Sequence, residues 1–202
     1  MPCSARPRPS LEKAERARWL EADACDLPFH DRKFDAVVCQ FGTMFVPDKA
    51  LAAREAYRVL KRDGVFLFNV WDALKHNKLG ELAHRTITSY FKKDPPTFYQ
   101  VPFSYHNRTE IRRVLKQAGF REIKTEVIAK IGKATRAKDV ARGLVEGDPV
   151  AVAIAKRDPS LLRNYQRDGR CNFASLWKTK HSRTDAGNCG PGLRLRISNP
   201  VH

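Results

Sequence analysis

Two short, almost wholly apolar runs mark the front of the chain, Ala36–Phe41 (AVVCQF) and Val65–Trp71 (VFLFNVW). Runs of this length and composition predict strands covered on both faces, as inside a parallel sheet flanked by helices. Between them Ala52, Ala56, Val59 and Leu60 recur at helical spacing, which predicts a helix with one face on the sheet. Pro47 and Asp48 open that helix, and Lys61 and Arg62 stand at the negative end of its dipole. Gly64 is expected to supply the left-handed residue that ends it. A strand, helix, strand unit of this kind predicts a right-handed parallel crossover.

Upstream, the prolines of Met1–Ser10 predict irregular chain, Leu11–Arg18 a short helix, and Trp19–Ala22 a brief strand ending at Asp23. The segment DACDLPFHD then reads as a loop, with Pro28 stopping regular structure. Downstream, Leu79, Leu82, Ala83, Thr86, Ile87, Tyr90 and Phe91 follow a helical period. Phe103–Tyr105 reads as a short strand. Asn107 caps a further helix, with Glu110 three residues on as its capping-box partner. Ile111, Val114, Leu115 and Ala118 form the buried face of that helix, and Gly119 closes it. Ile123–Ile128 alternates as an edge strand does, and Val140–Val145 and Val150–Lys156 are short helices split at Gly147–Pro149. After Arg157 neither period persists. The organisation expected is an N-terminal segment over 1–18, a partial α/β domain over 19–157 and a disordered basic tail over 158–202.

With 202 residues the chain can bury one ordinary core. No apolar run approaches the about 20 residues that span a bilayer. The N-terminus lacks the apolar stretch of a secretory signal, so a cytoplasmic protein is expected. Five cysteines with no CxxC pair argue against a disulfide framework or a zinc site, and no metal ligands are assigned. The formal charge of +16 raises a nucleic-acid-binding alternative. Ten Lys/Arg against three Asp/Glu lie from Lys156 onward. Only Phe173, Trp177, Lys178 and Lys180 interleave aromatic and basic residues as single-stranded nucleic acid would require, and a solvated tail is the plainer reading.

The pieces ADACDLPF, FDAVVCQFG, REAYRVLKRDGVFLFNVWD and VLKQAGF, in this order and spacing, resemble class I S-adenosylmethionine-dependent methyltransferases. The likeness is greatest to the small-molecule branch that includes ubiquinone and menaquinone biosynthesis enzymes. It implies a Rossmann-like sheet, S-adenosylmethionine as cofactor and a small-molecule methyl acceptor. It also implies that Asp23 and Ala24 read the adenine, that Leu27 packs on its face, and that Gln40 and Phe41 lie under the methionine end. Asn69, Trp71, Asp72 and His76 become candidates for the acceptor side, at the carboxyl edge where ligands of open α/β sheets bind. Transfer from a sulfonium gains mainly from alignment, so no catalytic residue is assigned. His76, His84 and His106 lie in the acceptor region, and none has a neighbour in sequence that marks a dyad.

The chain departs from the family at its front. No glycine precedes Trp19, so the glycine-rich cofactor turn is missing, and nothing places Glu12 or Glu15 as the ribose-binding acid. A truncated methyltransferase sheet is therefore expected, with strands left unpaired and cofactor binding weakened by roughly 10²–10⁴. A noncatalytic, methyltransferase-like interaction protein is the alternative.

Overall fold

In the computed structural model, which describes residues 17–130, 137–161 and 192–198, the two apolar runs are parallel neighbours. Strand β1 (Phe34–Gln40) pairs with β2 (Leu60–Trp71) from Val37 opposite Phe66 to Gln40 opposite Asn69. Helix α1 (Lys49–Val59) joins them, capped by the Asp48 carboxylate, which accepts from the Leu51 amide at 2.8 Å.

Gly64 does not end α1. The helix passes at Leu60 straight into β2, and Gly64 lies within that strand. There the register is irregular: Phe34 faces Leu60, but Ala36 faces Val65. An added Cβ at Gly64 would come within 2.9 Å of Leu60 Cδ2 and 3.0 Å of Lys61 O. The glycine serves close backbone packing at a bulge rather than a left-handed turn.

The sheet has the order β1-β2-β4-β3. Its third member is β4 (Gly192–Ser198), antiparallel to both β2 and β3 (Glu122–Ile128). This corrects the expectation of an irregular tail at 192–198. Leu193, Leu195 and Ile197 alternate with Arg194, Arg196 and Ser198, a period-two signal swamped by the unpatterned chain ahead of it. The rest of the tail lies outside the described residues.

One face of the sheet carries the main core. Phe66, Phe68 and Val70 are buried together with Ala53 and Ala56 of α1 and with Ile111 and Leu115 of α3 (Arg108–Gln117). Asn107 caps α3 by accepting from the Thr109 and Glu110 amides. A second cluster joins α2 (Lys78–Ser89), α4 (Ala137–Glu146) and α5 (Val150–Arg157) through Ala83, Ile87, Tyr99, Val145, Val150 and Ile154.

The opposite face of β1 departs from the predicted double burial. Ala36 and Val38 are exposed, Val38 by 67%, because no described element packs over that face of β1. Trp19–Ala22 is irregular and exposed rather than a strand. Phe103–Tyr105 is a turn that buries Tyr105. Among the described residues no helix is long and apolar enough to cross a membrane.

Candidate functional site

The loop from Asp23 to Asp31 is held by side chains of α1. Glu55 accepts from the Leu27 amide at 2.8 Å. It also pairs with Arg58, one turn on, at 2.7 Å. Arg58 in turn donates to the Leu27 and Phe29 carbonyls and to the Asp31 carboxylate. The sequence reading missed this clamp, although an acid and a base three apart in REAYRVLKR share one helix face.

The hydrogen bond from Arg58 holds the Glu55 carboxyl below the ordinary carboxylate value, against the opposing effect of burial. A carboxyl lowered in the folded state stabilises it above the unfolded value, and that contribution is lost as pH falls through the folded one. Glu55→Ala should cost about 1.5–3 kcal/mol near neutrality. It should also flatten the loss of stability below the ordinary value of 4.5. Urea denaturation across an acid pH series checks both expectations.

Within the loop, Asp23 Oδ1 accepts from the Cys25 amide at 2.8 Å, and Asp23 pairs with Asp26 in an isolated bridge. Asp23 thus caps a turn on an exposed loop. Its neighbours Ala24 and Leu27 line a cavity of about 110 Å³. Its lining also includes Cys39 and Thr43, at the end of β1 and in the turn beyond it, and Phe66 and Phe68 of β2. Ala53 of α1 and Tyr105 complete much of the lining. Burial, followed by the charge of Glu110, pushes the Tyr105 hydroxyl up to about 12, so it stays protonated at physiological pH.

The second group of candidates gathers at the carboxyl ends of β1 and β2. Gln40 is exposed there, and neither it nor Asp23 lines the cavity. Phe41 has a φ of +52°, a left-handed conformation rare for an aromatic residue. Its amide is shared between the backbone oxygen of Asn69 at 3.2 Å and Asn69 Oδ1 at 3.3 Å. Asn69 therefore satisfies backbone at the turn. The Phe41 ring stacks on Trp71 at 4.5 Å, and Trp71 meets Phe103 at 6.1 Å, which forms a row of three rings.

Beyond Trp71 the chain bends through a 3-10 turn, Leu74–His76. Asp72 Oδ2 lies 2.9 Å from His76 Nδ1, while Asp72 Oδ1 accepts from the Ala73 amide. The buried Asn77 amide donates to the Asp72 and Ala73 carbonyls and fixes the bend. A histidine with a partner was not visible from sequence neighbours; the pairing at i and i+4 depends on this turn. His84 and His106 stand apart. The first has a buried Nδ1 with no hydrogen-bond partner, and the second contacts the Phe103 carbonyl. The aromatic and basic residues of 173–180 and the acids Glu12 and Glu15 lie outside the described residues.

Residues 4–68 match the family described as a methyltransferase domain. The demethylmenaquinone methyltransferase of Staphylococcus carnosus is 29% identical over 138 residues, which cover 61% of this chain and 57% of that protein. The ubiquinone/menaquinone biosynthesis C-methyltransferase of Rhizobium meliloti is 32% identical over 133 residues, covering 54% and 50%. The chain thus spans about half the length of the curated relatives it matches. A shorter stretch of 43 residues is 54% identical to the chloroplastic 2-phytyl-1,4-beta-naphthoquinone methyltransferase of Arabidopsis thaliana, covering 21% of this chain and 16% of that one. In fold, the chain is similar to the YcgJ protein of Bacillus subtilis, with a TM-score of 0.52 at 17% identity over 95% of this chain and 74% of that one. A candidate methyltransferase of Bacillus halodurans gives 0.50 at 17% identity, over 91% and 78%. In sequence the chain is thus similar to methyltransferases over part of their length, and in fold it is similar to these α/β structures.

Proposed function

We propose that the chain carries the rear half of a methyltransferase site for a small, quinone-type aromatic acceptor, with S-adenosylmethionine as methyl donor. The observation that carries this reading is the cavity lined by Ala24, Leu27, Cys39 and Thr43. It runs between α1 and the sheet, from Val37 and Phe66 to Cys39 and Thr43 at the carboxyl end of β1, the edge at which α/β sheets bind nucleotides. Its apolar walls suit a flat base. Phe41 and Gln40 at the adjoining rim suit the methionine end, and the aromatic row beyond suits a planar acceptor. When bound, the cofactor supplies an already activated methyl group, so the residues here bind and orient rather than activate it.

The described residues offer no acid placed for the ribose and no glycine-rich turn. Without such contacts from the described residues, weak binding is expected. Calorimetric titration with S-adenosylmethionine should give a dissociation constant above about 100 µM. A low-micromolar value would show that other residues provide the grip, and no heat at millimolar ligand would remove the cofactor reading. The exposed apolar edge at Val38 favours the second reading, a noncatalytic interaction protein that keeps the sheet as a surface. The same titration separates the two.

A further inference from the structure

The geometry points to His76, oriented by Asp72, as the general base that takes a proton from a hydroxyl on the acceptor ring. This rests on the methyltransferase reading above and adds to it the chemistry of the acceptor. The contact of 2.9 Å from His76 Nδ1 to Asp72 Oδ2 commits one ring nitrogen to the carboxylate. A neutral imidazole that donates from Nδ1 carries its lone pair on Nε2, so Asp72 sets the tautomer in which Nε2 accepts a proton.

The pair is also held in place. Asp72 is largely buried, with 16% of its side chain exposed, and Asn77 pins the backbone of the bend. His76 is 49% exposed and open to a second molecule. The position fits the role, because Asp72 directly follows Trp71, whose ring belongs to the Phe41–Trp71–Phe103 row. In this proposal the acceptor ring lies beside that row with its hydroxyl toward the bend. An i, i+4 surface ion pair needs none of these features.

In the step itself the acceptor O–H bond breaks and its electron pair stays on oxygen. The proton forms an N–H bond at Nε2, and the imidazolium later releases it to solvent. The phenolate so formed is a far better nucleophile, at oxygen or at the adjoining ring carbon, than the phenol. The acceptors favoured are therefore hydroxylated aromatic rings rather than amines or thioethers.

The test uses a chromogenic phenol, 4-nitrocatechol, whose absorbance reports its ionisation, at a fixed pH where the free probe is mostly protonated. The wild-type chain should raise the phenolate band of the bound probe. His76→Gln should lower the bound phenolate-to-phenol ratio about tenfold, equivalent to one pKa unit. Asp72→Asn should give an intermediate loss. Thermal unfolding shows whether each variant is folded, and calorimetry with S-adenosylmethionine shows whether the cofactor site is intact. A phenolate band that persists in folded His76→Gln overturns the assignment, and so does its absence from the wild-type chain. Failure of cofactor binding alone, with the band present, would instead count against the methyltransferase reading.

Discussion

Phe120→Ala is expected to lower the free energy of unfolding by about 3–5 kcal/mol, the cost of emptying a large aromatic site in a packed core. Phe120 is 1% exposed and is among the largest fully buried side chains of the described residues. Its ring meets Tyr57 edge-on at 5.1 Å and stacks with Phe66 at 5.8 Å, so it ties α1 to the central strand β2. Neighbours on a helix and a sheet cannot close such a gap without moving their own backbones. A urea titration should show a lower midpoint with an unchanged slope. A loss under about 1 kcal/mol would mean that the surrounding core collapses onto the vacancy.

Gly119→Ala should cost about 2–4 kcal/mol, through two separate effects. The glycine has a φ of +111°, which an L side chain adopts only under strain. An added Cβ would also lie 2.8 Å from Tyr57 Cζ and 3.0 Å from Cε1. The same ring that packs on Phe120 would have to move. The two substitutions should therefore be non-additive, since each disturbs Tyr57. Equilibrium unfolding of both single variants and the double variant measures that coupling. Together they give a physical reason for the wording VLKQAGF: the glycine lets the chain leave α3, and the phenylalanine fills the space it turns toward.

Where a local pattern was strong it located the element, though at β1 it did not give the burial of both faces. Phe66, Phe68 and Val70 announced a buried strand, and the faces of α1 and α3 followed from their apolar spacing. The capping role of Asn107 and the helix start at Asp48 were equally plain. What sequence alone could not show was pairing between distant segments. Trp19–Ala22 is apolar enough for a strand but is irregular, because apolar character alone does not secure strand pairing. The short run Leu193–Ile197 does have neighbours, separated from it by more than 60 residues on one side and more than 120 on the other. At the site, Ala24 and Leu27 face a shared hollow with Cys39 and Thr43, while Asp23 is occupied with its own turn. The clamp of Glu55 and Arg58 depends on how α1 meets a loop, which periodicity does not encode.

The position of β4 sets an order on assembly. Among the described residues β3 has no strand neighbour except β4, so its backbone stays unladdered until residues 192–198 are made. During synthesis from the N-terminus, the β1–α1–β2 unit can form early. The far half of the sheet must wait for β4, which brings β3 and β2 together, a closure that long-range pairing makes slow.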